Sequence, residues 1–344
     1  METKSTTPTP ERIMQFFFGF APTLVIHAAV SQHVFDILDE GPRTVEDVSA
    51  STGASVRGLR TLMNALVGLE FLVKDGLGRY SLTPESAEFL VAGRPGFHGG
   101  LFRHVCGQLL PNWVKLNEIV RTGRPESVMN QEDGGGAFFE EFVESIFPMS
   151  RPAAQVLADV MGLTWAKEEP VSVLDIAAGS GVWGITLAQK WPRMRVTAVD
   201  WAKVIPVTRR VAERFGVAER FSFVEGDILE AQYGHGHDIA TLGHILHSEG
   251  ERRGRALIRK VYESLAPEGT IVIADFLVNE ERTGPPPSLL FAVNMLVHTD
   301  HGDTFSFGEI SDWLREAGFK DVRTVEAPGP SPLILAAKPE EGRS

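Results

Sequence analysis

His247 is the side chain in this sequence best suited to move a proton. It ends the segment 244–247, which follows a predicted strand at 238–242. An imidazole has an unperturbed pKa of about 6.5, so it can take the proton of a hydroxyl group while that hydroxyl attacks an electrophile. A lone histidine also fits a role in the core or at a helix end, so the surrounding motifs must decide.

A turn of small residues at 177–181 predicts a cofactor site. The segment 171–176 is typical of a buried strand, and a helix is predicted to begin near Val182. Open α/β sheets bind ligands at such strand-to-helix turns, where small side chains allow close approach to the backbone. Gly179, Gly181 and Gly184 also fit the spacing of a dinucleotide site, so the turn alone leaves NAD, FAD and S-adenosylmethionine open.

Two acidic residues narrow the choice of cofactor. Asp200, followed by Trp201, ends the next predicted strand, and Asp227 follows the third. A carboxylate at the first position can accept hydrogen bonds from both hydroxyls of a ribose. A carboxylate at the second position can hold an adenine amino group. The spacing therefore favours a cofactor that contains adenosine.

Strands alternate with helices from residue 170 onward, which predicts a parallel sheet. The predicted strands span 171–176, 195–199, 221–224, 238–242, 270–274, 321–326 and 332–337. Upstream, Phe138, Phe139, Phe142, Ile146 and Phe147 recur at helical spacing. This stripe predicts a buried helix face, part of which can line a pocket, and the triple glycine at 134–136 predicts a flexible joint.

The first hundred residues predict helices followed by a hairpin. Thr44 with Asp47 and then Ser55 are helix-start signals, and a turn at 75–76 separates two short strands. This pattern is typical of a winged helix and suggests DNA binding. However, acidic residues surround the second helix, and the chain of 344 residues carries a net charge of −12, which disfavours phosphate contacts. Packing against a second copy is favoured, and a ligand-sensing DNA-binding regulator is the alternative.

The apolar segment 13–30 is the one targeting candidate. Polar residues and Pro22 interrupt it, and its apolar positions continue to Leu38 at helical spacing, so a core or interface helix is favoured over a signal peptide. No other apolar run is long enough to span a bilayer. Cys106 is the only cysteine, which leaves no disulfide framework. We predict a cytoplasmic protein with no membrane partner.

Together these motifs resemble the small-molecule O-methyltransferases that use S-adenosylmethionine. The resemblance is carried by residues 174–181, 199–202, 225–228, 244–247 and 316–319, and it extends over residues 12–339. It implies an α/β fold with a Rossmann-like, seven-stranded sheet whose last strand is antiparallel, and an N-terminal, mainly α, winged-helix-like dimerisation domain. We divide the chain into a disordered tail (1–10), the dimerisation domain (11–100), a helical connector and pocket segment (101–165) and the S-adenosylmethionine-binding domain (166–340).

The resemblance also implies a role for each motif. The backbone of the glycine turn holds the methionine part of the cofactor, one acid binds the ribose, and the next acid flanks the adenine. Ser150 contacts the cofactor carboxylate or, in the alternative interpretation, caps a helix. The implied cofactor residues are Ser150, Ala177, Gly179, Gly181, Asp200, Trp201, Asp227 and Ile228, and the implied acceptor-pocket residues are Met295, His298 and Thr304.

His247 is then the general base, and Asp275 is the acid that orients it. Two features differ from the pattern of the family. Ser248 and Glu249 follow His247 where relatives usually carry Asp-Trp, and Thr304 stands where many carry Glu. These differences leave open a reaction that needs no base.

The glycine turn also departs from the family pattern. Ala177 and Ala178 replace glycines that are usual in the family, and alanine allows a ligand to approach the backbone where its φ is negative. The cofactor prediction is kept despite these two replacements.

The loop at 298–303 contains two histidines and two aspartates, which is the composition of an oxygen-and-nitrogen metal site. The resemblance favours an acceptor-pocket role instead, so we expect no metal. We predict an enzyme that moves a methyl group from S-adenosylmethionine to a hydroxyl of a small, aromatic or polyketide-like molecule, active as a homodimer without nucleic acid. C-methylation, or another reaction with the same cofactor, stays open.

Overall fold

The computed structural model describes residues 8–126, 128–129, 139, 142–162, 170–329 and 331–340. It divides the chain into two compact units, Met1–Leu109 and Leu110–Ser344. Most of the predicted tail (residues 1–7), the predicted joint at 134–136 and Phe138 lie outside the described residues. The predicted domain boundaries stay predictions.

The N-terminal unit has the predicted arrangement of helices and a hairpin. Its helices are α1 (Glu11–Met14), α2 (Ala21–Ser31), α3 (Val34–Asp39), α4 (Val45–Thr52), α5 (Val56–Gly68), α6 (Pro84–Phe89) and α7 (Gly99–His104), with β1 (Leu72–Lys74) pairing antiparallel to β2 (Tyr80–Leu82) and a π-helical segment at Val105–Leu109. Thr44 and Asp47 form a reciprocal capping box at the start of α4. Ser55 caps α5 through the backbone N–H of Gly58.

The apolar segment 13–30 divides into a buried part and an exposed part. Ile26, Ala29 and Val30 in α2 are buried in the core of the N-terminal unit. The aromatic residues ahead of α2 are not: the side chains of Phe16, Phe17 and Phe18 are exposed by 66–73%. None of the helices in the described part of the chain is long and apolar enough to cross a membrane.

The C-terminal unit contains the predicted sheet and its helices. The helices are α8 (Leu110–Trp113), α9 (Leu116–Thr122), α10 (Phe147–Gly162), α11 (Val182–Lys190), α12 (Ile205–Arg214), α13 (Leu246–Ser264, interrupted at Gly250), α14 (Pro286–His298) and α15 (Phe307–Ala317). The strands are β3 (Ser172–Ile176), β4 (Arg195–Asp200), β5 (Phe221–Glu225), β6 (His237–Gly243), β7 (Leu265–Ala274), β8 (Leu277–Val278), β9 (Phe305–Ser306), β10 (Lys320–Val325) and β11 (Leu333–Ala337).

Seven of these strands form one sheet in the order β10-β11-β7-β6-β3-β4-β5. The strands from β7 to β5 are parallel, and β11 runs antiparallel to both β7 and β10. The predicted α/β sheet with an antiparallel last strand is therefore confirmed. The largest boundary difference is in β7, which begins at Leu265 rather than at residue 270, because Leu265 pairs with His237 ahead of a register shift.

The carboxyl end of β6 packs closely against α11. Gly243 is the last residue of β6, and a Cβ added there would lie 1.9 Å from Trp183 Nε1 in α11. Trp183 is 4% exposed. The indole ring therefore occupies the volume that a side chain at position 243 would need.

We expect Gly243→Ala to lower the free energy of unfolding by about 1–3 kcal/mol, because the added methyl group forces the indole or the strand to shift. Urea unfolding measures the loss. Gly68→Ala is the matched control, since nothing lies within 4 Å of the new Cβ. Adding Trp183→Leu to Gly243→Ala should recover part of the loss, and an unchanged stability of the single variant would contradict the packing.

Candidate active site

A cavity of about 180 Å³ lies at the carboxyl ends of the parallel strands, within the C-terminal unit. From β3 the chain first adds β4 and β5 on one side and later adds β6 and β7 on the other, so the strand order reverses between β3 and β6. Such a point of reversal is the usual ligand position in an open α/β sheet. Of the residues predicted from the sequence, the cavity is lined by Ser150, Ala177, Gly179, Asp200, Trp201, Asp227, Ile228 and His247. Gly181 is not among the lining residues and serves as the N-cap of α11, and Ser150 is the fourth residue of α10.

The small-residue turn is left-handed at three positions. Its φ values are +53° at Ala177, +55° at Gly179 and +75° at Gly181. Ala177 therefore does not meet the condition of a negative φ, and it adopts a conformation that glycine takes without cost and that costs a residue with a Cβ about 1–2 kcal/mol. Ala178 is not left-handed.

Asp200 holds this turn in place. One carboxylate oxygen accepts a hydrogen bond from the Gly179 N–H at 2.8 Å, and the other accepts one from the Trp201 N–H at 2.8 Å. On the opposite side, the Thr208 hydroxyl donates to the Gly179 carbonyl at 2.6 Å. Asp200 also lines the cavity.

A second carboxylate lies beneath the turn, out of contact with the cavity. Asp175 is fully buried, and it accepts hydrogen bonds from the Thr241 hydroxyl at 2.7 Å and from the Gly184 N–H at 3.0 Å. Burial raises the pKa of Asp175 to about 7, although both hydrogen bonds oppose this shift. The residue ties β3 to β6 and to α11.

Charged side chains form part of the cavity lining. The Arg253 guanidinium donates to Asp227 at 2.7 Å and to Glu249 at 2.5 Å. Glu249 is 5% exposed; burial raises its pKa, while Arg253 opposes the shift. Lys260 donates to the carbonyls of the turn that follows Asp227, at 2.7–3.3 Å.

Glu249, Arg253 and the Asp227 pairing were not part of the predicted site. The one available sequence signal was the spacing of Glu249 and Arg253, four residues apart on a helix, which favours an ion pair. The contact to Asp227 joins residues 26 positions apart and has no local signal.

His247, which also lines the cavity, is paired with Asp275. His247 Nδ1 lies 2.6 Å from one carboxylate oxygen of Asp275, and the backbone N–H of His247 donates to the other at 3.1 Å. Burial alone would raise the pKa of Asp275, but its attraction to His247 and the hydrogen bonds outweigh burial and lower it. An ionised carboxylate only accepts, so Nδ1 carries the proton and Nε2 is the basic nitrogen. Nε2 has no partner among the described residues and stays accessible.

Aromatic rings form the walls around His247. Phe276 and Phe291 stack with centroids 3.9 Å apart, and the Phe291 centroid lies 4.9 Å from that of the His247 ring. From the predicted aromatic stripe, Phe139 and Phe142 line the cavity, whereas Phe147 is buried against Phe215. The walls suit a flat, apolar ring.

The three predicted acceptor-pocket residues are buried, but they are not among the residues that line the cavity. His298 Nε2 and Thr304 Oγ1 have no hydrogen-bond partner within the described part of the chain. Burial lowers the pKa of His298. The loop that contains Thr304 nevertheless contacts His247, because the Asp303 N–H donates to the His247 carbonyl at 2.9 Å. In the described ranges, no group of three or more His, Cys, Asp or Glu side chains is arranged to hold a metal.

Comparison with known proteins identifies the family. Residues 113–320 match the O-methyltransferase domain, and residues 14–92 match the O-methyltransferase dimerisation domain. The chain therefore belongs to the O-methyltransferase family, as the sequence motifs predicted, and it is an enzyme of that class.

Relatives of known activity span nearly the whole chain. The tetracenomycin polyketide synthesis 8-O-methyl transferase TcmO of Streptomyces glaucescens is 28% identical, with 96% of this chain and 97% of the relative aligned. The 3-hydroxy-5-methyl-1-naphthoate 3-O-methyltransferase of Streptomyces sahachiroi is 29% identical, with coverages of 96% and 95%.

Solved structures share the fold. A crystal structure assigned to an O-methyltransferase of Nostoc punctiforme superposes with a TM-score of 0.87 at 29% identity, covering 97% of this chain and all of that one. Human N-acetylserotonin methyltransferase, solved in complex with S-adenosylmethionine, superposes with a TM-score of 0.83 at 23% identity, covering 98% of this chain and all of that one. These findings confirm the predicted family and its methyl donor.

We expect Arg253→Gln to lower the free energy of unfolding by about 1–3 kcal/mol, because the buried Glu249 carboxylate loses its partner. The raised pKa of Glu249 rises further without Arg253, so the loss should be greater at about pH 8 than at about pH 5, where the carboxyl group is more often protonated. Urea unfolding at both pH values measures this.

The matched control is Arg255→Gln. Arg255 lies on the same helix and pairs with the exposed Glu251 and Glu316, so its loss should cost only about 0–1 kcal/mol. A Glu249→Gln, Arg253→Gln double variant should lose less than the sum of the single variants, by about 1–2 kcal/mol. Strict additivity would show that the pair is not coupled.

Proposed function

We propose that this enzyme transfers the methyl group of S-adenosylmethionine to a hydroxyl of a small aromatic, polyketide-like molecule, with His247 as the general base. The observation that carries the proposal is the accessible Nε2 of His247 in the cavity that the glycine turn and Asp200 also line. The polyketide and naphthoate acceptors in the names of two relatives support an aromatic acceptor.

The chain's own residues fit the proposed cofactor. Asp200 lines the cavity, where a carboxylate can accept hydrogen bonds from ribose hydroxyls, and Ile228 and Trp201 line the same cavity with apolar surface. Asp227 is held by Arg253 and by the Leu229 N–H, and each of its oxygens can accept one more hydrogen bond, such as one from an adenine amino group. Ser150 and the backbone of the turn suit the methionine end. When bound, the cofactor supplies an electrophilic methyl group.

His247 and Asp275 perform the proton chemistry in this proposal. A phenol has a pKa near 10, so it is mostly protonated at neutral pH and attacks weakly until a base removes its proton. Nε2 accepts that proton, and the ionised Asp275 stabilises the resulting imidazolium through Nδ1. The aromatic walls at Phe276 and Phe291 hold the acceptor ring and exclude water. Asp275 acts through His247 and is a positioning residue.

The test is a screen of phenolic and polyketide-like acceptors, with the mass and methyl position of the product determined. We expect O-methylation that depends on S-adenosylmethionine and not on NADH. With a competent acceptor, His247→Ala should lower kcat by about 10²–10⁴-fold, as is typical for loss of a general base, with little change in KM for the cofactor. Full activity of His247→Ala would refute the base assignment, and transfer to carbon would refute the reaction.

We also propose that the N-terminal unit forms a homodimer. The match to a dimerisation domain and the exposed rings of Phe16, Phe17 and Phe18 support this, since contiguous exposed apolar side chains mark interaction surfaces.

Sedimentation of the full chain should give a dimer, and replacing Phe16, Phe17 and Phe18 together by serine should shift it toward the monomer while the melting of the C-terminal unit is retained. Replacing the exposed Leu77, at the tip of the hairpin, by serine is the control. A dimer that persists unchanged in the triple variant would place the interface elsewhere.

A further inference from the structure

A second imidazole lines the cavity together with that of His247, and the proposed methyl transfer does not use it. His244 lines the cavity and lies three residues before His247 in the sequence. The centroids of the two imidazole rings lie 5.4 Å and 5.8 Å from that of the same Phe276 ring. Both histidines therefore border the space in which an acceptor ring would lie.

One nitrogen of His244 is engaged and the other is not. Nε2 lies 3.0 Å from the hydroxyl of Ser331, which is 2% exposed. Nδ1 has no hydrogen-bond partner among the described residues and stays accessible. Because the Ser331 hydroxyl can either donate or accept, Nδ1 can present a lone pair or a proton to a ligand.

The backbone and the protonation state of His244 also suit a ligand-binding role. His244 has a φ of +58°, which is uncommon for a residue with a side chain and is frequent at functional sites. Its N–H donates to the Ala274 carbonyl at 2.7 Å, which holds this conformation at the sheet edge. Burial lowers the pKa of His244 to about 4, so the imidazole is neutral at physiological pH.

We propose that His244 Nδ1 binds a second, uncharged oxygen of the acceptor. The substrate class is then an aromatic ring system that carries a hydroxyl or carbonyl oxygen close to the hydroxyl that His247 deprotonates. A carboxylate is disfavoured at this position, because the ionised Asp275 lies beside both histidines. The inference deepens the proposed function and depends on it for the role of His247.

Two substitutions separate the two nitrogens of His244. In His244→Asn the side-chain amide reaches the position of Nδ1 but not that of Nε2, so the cavity contact is kept and the Ser331 contact is lost. In His244→Gln the amide reaches the position of Nε2, so the Ser331 contact is kept and the cavity contact is lost. If His244 served only to contact Ser331, His244→Asn would be the more damaging substitution, because it loses that contact. His33→Asn is the matched control, since His33 is an exposed histidine with a φ of +54° in the N-terminal unit.

The experiment measures dissociation constants of 1-naphthol and naphthalene-1,8-diol by calorimetry, without any methyl donor. For the wild-type protein, His244→Asn and His33→Asn, the ratio of the two constants should agree within about twofold. In His244→Gln the preference for the diol should fall by about tenfold, the effect of one hydrogen bond that is left unmade.

An unchanged ratio in His244→Gln, an equal fall in His244→Asn, or a wild-type protein that binds neither naphthalene would each overturn the proposal. Because no methyl donor is present, these outcomes are independent of transfer. Failure of the proposed function would instead appear as an absence of O-methylated product in the acceptor screen, with the binding ratios as expected.

Discussion

The site depends on a carboxylate that does not contact the cavity. Asp175 joins β3, which leads into the cofactor turn, to β6, which leads to His247, through the Thr241 hydroxyl. Its second oxygen holds the first turn of α11 through the Gly184 N–H. A fully buried carboxylate is costly unless its hydrogen bonds are satisfied, so the positions of these three elements are mutually constrained. The small-residue turn and the proposed base are therefore fixed relative to each other by the same side chain.

Two groups of residues in the cavity lining use charge differently. His247 and Asp275 form one short pair beside aromatic rings, which favours a single tautomer and a defined basic nitrogen. Arg253 lies between the carboxylates of Asp227 and Glu249 and offsets both. Asp227 can therefore accept a further hydrogen bond without leaving an unpaired charge.

Much of the fold could be predicted from the sequence, because its signals are local. The alternation of strands and helices, the capping residues Thr44 and Ser55, and the turn at 75–76 each depend on neighbouring residues, and the structure contains them all. The positions of the small-residue turn and of the strand-end acids could also be predicted, since each directly follows a strand. The left-handed φ of Ala177 was not, because it is imposed by the geometry of the turn and opposed by the residue type.

The missed features of the site depend on contacts between distant parts of the chain. Arg253 meets Asp227, Trp183 covers Gly243, and His244 meets Ser331 across 87 positions. Such partners follow from the order of strands in the sheet and from side-chain packing, neither of which has a local pattern. The predicted pocket residues Met295, His298 and Thr304 illustrate the same point, since their burial depends on how α14 and the following loop pack.

The helix α13 carries both His247 and Arg253, and these side chains bind carboxylates at the ends of different strands. Asp275 follows β7, whereas Asp227 follows β5, and three strands of the sheet separate β7 from β5. The residues between His247 and Arg253 include the non-helical Gly250, and the two side chains are anchored at strand ends on opposite sides of β3. The contacts with Asp275 and Asp227 set this spacing before any ligand binds, so less conformational entropy is lost when a methyl donor and an acceptor are brought into line.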